Sequence, residues 1–126
     1  MSNEYIAGAC NIGKGEIRRR QFVALIGAAI TITTAITLFT TDQSKAARLS
    51  IFIPAMIFAI GFVQSRKKFC LAYGLVGTFN FGGLGDVKRV QSNEDRKADR
   101  KTALSILAQS AMLAVAITAV VFALPL

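Results

Sequence analysis

The chain has 126 residues, 53% hydrophobic and 17% charged, with 15 Lys and Arg against 7 Asp and Glu. Charged residues make up about a quarter of an ordinary soluble domain, so this composition excludes one, and it excludes disorder as well. With no His and two Cys, the chain has no Ser–His or Cys–His pair, no H-E-x-x-H zinc site and no His-ligated haem.

Taken in order, residues 1–20 form a basic N-terminal segment. Gly8, Gly13 and Gly15 predict a tight turn, and Asn11 or Gly15 is placed to cap a helix starting near Glu16. The spacing is neither G-x-G-x-x-G after a strand nor a Walker A loop. The charged stretch is long, and the apolar run after it exceeds the 7–15 residues of a signal-peptide core, so an uncleaved anchor is expected. Residues 21–41 carry no charge and are long enough for a first span. Gly27, Thr31, Thr34 and Thr41 share one helix face, which predicts a helix–helix seam. Its Thr hydroxyls can satisfy themselves on the carbonyl four residues back.

Residues 49–65 give a second span at the lower limit of length, with Arg48 and Arg66 placed to snorkel to the headgroups. Pro54 predicts a kink there, and Gly61 a point of close approach. Residues 66–101 form a loop. Within it, 69–85 is uncharged but holds five glycines, so only a piece from Phe69 to about Phe79 can be helical. That makes it an interfacial or re-entrant segment. Ser92 or Asn93 is a suitable N-cap, and Glu94 and Asp95 suit a first turn, so a third helix is expected from near Glu94. Residues 102–126 supply the third span. Ser105, Ala108, Met112, Ala116, Ala119 and Ala123 form a mostly small face suited to packing against another helix. Gln109, an amide inside the span, is expected to bond a Thr or a carbonyl of the first helix.

Three spans leave 13 of the 15 basic residues at one end and only Lys45 and Arg48 at the other. The positive-inside rule then puts the N-terminus in the cytoplasm and the C-terminus outside an inner membrane. A fourth span at 69–85 would export the six basic residues from Lys88 to Lys101. The expected fold is therefore all-α: a single integral membrane domain, 1–126, with three transmembrane helices and a glycine-rich segment between the second and third. Since the basic residues sit at membrane boundaries, their charge needs no nucleic acid. The stretch 94–101 is a solvated helix surface or a contact for an acidic partner or anionic lipid.

Cys10 and Cys70 both fall at the basic end, outside C-x-x-C spacing. Cytoplasmic thiols stay reduced, and two are too few for a four-thiolate site unless a dimer shares them. Nearby Arg18, Arg19, Arg20, Lys67 and Lys68 leave open a redox or metal-sensing role.

The stretch CNIGKGEIRRR at 10–20, with FVQSRKKFCLAYGLVGTFN at 62–80, resembles an uncharacterised family of small bacterial membrane proteins. That family opens with a C-N-I-G stretch and carries an F-C-x-x-Y-G-x-x-G-x-F-N-like stretch after its second span. Lys14-Gly15 stands where the family has a Pro-Ala-like pair. The resemblance implies one assembled cytoplasmic docking surface of Cys10, Asn11, Gly13, Glu16, Gln64, Cys70, Tyr73, Gly74, Gly77 and Asn80. It implies no activity.

The sequence thus points to a non-enzymatic, multi-pass membrane protein, either an accessory or structural subunit of a larger complex or a homo-oligomer. Its helix-packing residues would be Gly27, Thr31, Thr34, Gly61 and Gln109. No cofactor or metal is expected, and its partners would be membrane lipids, other subunits or copies of itself. The alternatives are a small oligomeric channel or transporter, with Thr34 and Gln109 in its path, and a thiol or metal sensor. A lipid-processing enzyme would have only Glu16, Asp86 and Tyr73 to work with, at no diagnostic spacing.

Overall fold

A computed structural model describes residues 5–82 and 87–125. Its long elements are α1 (Lys14–Thr40), α2 (Phe52–Lys67) and α4 (Asn93–Ala123), with a short α3 (Leu71–Val76) between the last two. Together with a 3-10 turn at Lys45–Ile51 that leads into α2, they give three helices long and apolar enough to cross a membrane. Asp86 and the glycines at 83 and 85 lie outside the described residues.

The second helix is the central one. Only 11% of the apolar window of α1 is buried, against 39% for the segment containing α2 and 28% for α4. On the α1 side the backbones touch. A Cβ on Gly27 would lie 2.4 Å from the Phe58 amide nitrogen, and one on Gly61 would lie 2.7 Å from that of Ala24. Small residues permit this approach, which lipid-embedded helices use in place of a hydrophobic driving force. On the other side, Ala55 and Ala59 of α2 meet Ala114 of α4, and Phe52, Met56, Leu113 and Ile117 close around them. Nearer the basic end, Val63, Phe69, Ala103 and Ile106 form a second buried cluster.

Thr31, Thr33, Thr37, Thr40 and Thr41 each donate to the carbonyl four residues earlier, at 2.7–2.9 Å. Pro54 is not a mid-span kink. It falls in the first turn of α2, where its missing N–H leaves no hydrogen bond broken, and the irregularity is absorbed by the 3-10 turn before it. Ser92 caps α4, its hydroxyl accepting from the Asp95 amide at 3.3 Å.

The chain is not purely helical. Gly77, at φ +77°, ends α3 in the left-handed region, and Thr78–Phe79 (β1) then pairs antiparallel with Lys88–Arg89 (β2). A Cβ at Gly77 would also lie 2.8 Å from Cδ of Arg96, so glycine answers two constraints at once. β-branched and aromatic residues after such a stop favour a short ladder over further helix.

Candidate functional site

The described polar residues concentrate at the basic end, where 5–13, α3 and the β1–β2 pair close over the ends of the long helices. The turn at Ile6–Cys10 is held by reciprocal backbone bonds of 2.9 Å, and Ile12 bridges to Asn80 as a parallel neighbour. Gly13 N–H donates to the Asn80 carbonyl, and Asn80 N–H to the Asn11 carbonyl. Residues 11–13 are thereby threaded beside β1.

Asn11 does not cap α1. The N-cap is Gly13, with no side-chain bond. Instead the Asn11 amide clamps Cys70, its Oδ1 accepting from the Cys70 N–H at 2.6 Å and its Nδ2 donating to the Cys70 carbonyl at 3.2 Å. Gln64 holds the next residue by a single bond, its Oε1 accepting from Leu71 N–H at 2.7 Å. These two amides satisfy donors at the start of α3 that a six-residue helix leaves orphaned.

Around Cys70 stands a charged cluster. Glu16 is 1% exposed and accepts from the Tyr73 hydroxyl at 2.5 Å. Arg20 lies 3.6 Å from the same carboxylate, donates to the Cys70 Sγ at 2.9 Å and lies over the Tyr73 ring. Burial, followed by the bond to Glu16, raises the Tyr73 phenol above its ordinary value, so it remains a neutral donor. Arg20, Cys70 and Tyr73 line an open groove of about 540 Å³ with Gln64 and Leu71.

A second buried acid closes the other side. Asp99 of α4 is fully buried and accepts from the Tyr5 hydroxyl at 2.5 Å and from Gly8 N–H at 2.7 Å. Thr102 donates to the Gly8 carbonyl at 2.6 Å. Tyr5 stacks on Phe79, and burial and then Asp99 push its phenol upward as well. Neither contact is signalled by the sequence around Tyr5.

The structure brings all ten residues of the expected docking surface to this end, but nine of them (all except the half-buried Tyr73) are buried. Asn11 bonds Cys70 and Asn80, and Glu16 bonds Tyr73, so they form the inside of a knot. The exposed shell around it is rich in Lys and Arg. Cys10 and Cys70 are both free and buried, with Cys10 Sγ 3.6 Å from the Ile12 carbonyl. Among the described residues no group of three or more His, Cys, Asp or Glu is placed to hold a metal.

Gln109 departs from expectation. It is exposed and bonds Ser105 of its own helix at 3.0 Å, because α1 lies on the far side of α2. The small face of α4 is not used within the chain. Asp99, Ala103, Ile106, Ser110, Ala114, Thr118 and Val121 are its buried residues. Ser105, Ala108, Met112, Ala116, Ala119 and Ala123 all point away from the body. At the opposite end Arg48 is more than a snorkelling flank. It donates to the carbonyls of Val121 and Leu124 at 3.1 and 2.6 Å and lies over Phe39, tying the ends of α1 and α4 together.

Comparison of the chain with protein-family models, with curated proteins and with solved structures finds no match.

Proposed function

We propose that the chain is a non-enzymatic structural membrane subunit that joins other transmembrane helices through the outward face of α4. The observation that carries this reading is the small face from Ser105 to Ala123, turned directly away from the three-helix body with the Gln109 amide at its edge. Small residues facing lipid gain little there, whereas against a second helix they allow close backbone approach. An amide within a span gains a hydrogen-bond partner in the same step. The knot supports a scaffold over a reaction centre, since Asn11, Gln64 and Asp99 are all engaged in holding main chain. The charge distribution supports a cytoplasmic basic end in an inner membrane.

The partner surface in this reading is self-complementary, so a second copy is the first occupant to test. Met112→Cys and Ala116→Cys, oxidised in native membranes, are expected to give disulfide-linked dimers, and Leu113→Cys on the packed side is not. No dimer at any of these positions, with native mass spectrometry giving a monomer free of other subunits, would defeat the proposal. A foreign subunit in fixed ratio would keep the scaffold role and replace self-association.

A second reading, a thiol sensor, draws on one observation: Cys70 Sγ touches a guanidinium beside an open groove. It requires Cys70→Ser to abolish a response to oxidant while the chain still assembles. The channel alternative has less support, since four Thr hydroxyls of α1 and that of its C-cap, Thr41, are engaged by their own helix.

A further inference from the structure

Two grooves on the α1–α2 side of the molecule run into one another. The first, about 520 Å³, lies between the start of α1 and the end of α2 and has Lys14, Arg18, Arg66 and Lys68 on its walls. The second, about 320 Å³, continues along the helix seam over Leu25, Ala28, Phe58 and Phe62. Gln21, Ser65 and Arg66 line both. Along the seam the lining therefore changes from four cations, to an amide and a hydroxyl, to methyl and phenyl groups.

Among the described residues the ion pairs join Glu16 to Arg19 and Arg20, and none involves Lys14, Arg18, Arg66 or Lys68. Four like charges around one groove repel one another, and an anion between them removes that repulsion. The apolar continuation specifies what the anion is attached to. Arg18 and Ala28 are ten residues apart on α1, which is about 15 Å along the helix axis, the depth of one leaflet of hydrocarbon. Free phosphate would use only the upper groove.

We propose that this face is a specific site for an anionic phospholipid carrying two phosphate groups. The phosphates sit among Lys14, Arg18, Arg66 and Lys68, the glycerol esters against Gln21 and Ser65, and one acyl chain along Leu25, Ala28, Phe58 and Phe62. Two phosphodiesters match four cations better than one does, so a two-phosphate lipid is selected over a one-phosphate lipid. Ala24 and Ala28 leave room that a larger side chain would fill. The site does not depend on the outward face of α4 and stands or falls separately from the subunit reading.

The test uses the full chain, delipidated in mild detergent, titrated with cardiolipin, phosphatidylglycerol or phosphatidylcholine and read by native mass spectrometry. One cardiolipin is expected per chain, bound at least ten-fold more tightly than phosphatidylglycerol, with phosphatidylcholine not retained. Arg18→Gln with Arg66→Gln should weaken cardiolipin roughly thirty-fold. Lys97→Gln with Arg100→Gln removes the same charge from the exposed surface of α4 and should change it little. Ala28→Phe, which leaves every charge in place, should weaken binding several-fold. Equal losses from the two charge pairs would overturn the site in favour of diffuse attraction, and equal affinity for the two anionic lipids would overturn the two-phosphate assignment. Competition by inorganic pyrophosphate as strong as by lipid would overturn the acyl-chain groove. A circular-dichroism melt of each variant separates lost binding from lost fold.

Discussion

Asn11→Ala should unlock Cys70. The Asn11 side chain is fully buried and holds both main-chain groups of Cys70. Without it the Cys70 N–H is left buried and unpartnered, while the carbonyl keeps its bond from Gly74 N–H at 2.9 Å. An orphaned buried donor costs about 1–3 kcal/mol and the second, dispensable bond about 1 kcal/mol, for a loss of about 2–4 kcal/mol. Because Cys70 is only 2% exposed, its thiol reacts with a maleimide only when the knot opens. In a Cys10→Ser background, the labelling rate should therefore rise roughly thirty- to seven-hundred-fold if reclosing outpaces reaction. Helicity should hold, because the bond lies outside the three long helices. Gln91→Ala, on the exposed loop, is the control and should label at the parent rate. An Asn11→Ala rate equal to the parent's would refute the clamp.

Other substitutions probe other contacts. Gly27→Ala places a Cβ against the Phe58 backbone, and overpacking of this kind costs about 1–3 kcal/mol, so the detergent melting midpoint should fall. Ser110→Ala should raise that midpoint slightly, because the Ser110 hydroxyl is buried without a hydrogen-bond partner. Arg48→Ala should fray the last turn of α4, read as faster labelling of Ala123→Cys, with up to about 2 kcal/mol lost there. Tyr5 and Tyr73 have phenol pKa values raised by folding, so the stability they lend is fully present below the unfolded value of roughly 10 and is lost as pH rises through the folded values. The wild-type melting midpoint should fall in that alkaline window. A Tyr5→Phe, Tyr73→Phe double variant should melt lower at neutral pH and lose much of the alkaline decline.

The spans were legible because uncharged length is a local property. The runs at 21–41 and 102–126 show it directly, and the Ser92 cap and the Thr back-bonds depend only on neighbours within four residues. The knot was legible only as a set of residues implied to lie together, without its wiring. Nothing near Tyr5 signals that its partner is Asp99, 94 residues on, and nothing near Arg48 signals the carbonyl of Val121. Gln109 finds a different neighbour from the one its position suggests, because periodicity gives the face of a helix but not which helix lies opposite. With α2 in the middle, the amide could not reach α1. The small faces of α1 and α4 look alike in sequence, yet α1 packs Gly27 against α2 and α4 turns its own small face outward.

The bond between Tyr5 and Asp99 also sets an order of events. Residues 5–10 are made before α4, but their anchors, Asp99 and Thr102, lie on that helix. The α1–α2 hairpin can form its backbone contact while α4 is still unmade. The turn at Ile6–Cys10 cannot close on Asp99 and Thr102 until α4 has arrived beside α2, so a segment made early settles late. It then acts as a completion latch. A chain that lost its third span would lose the anchors of Tyr5 and Gly8, while residues 11–13 would keep their bonds to Asn80 and Cys70. Closure of the turn at the basic end therefore depends on α4 being in place.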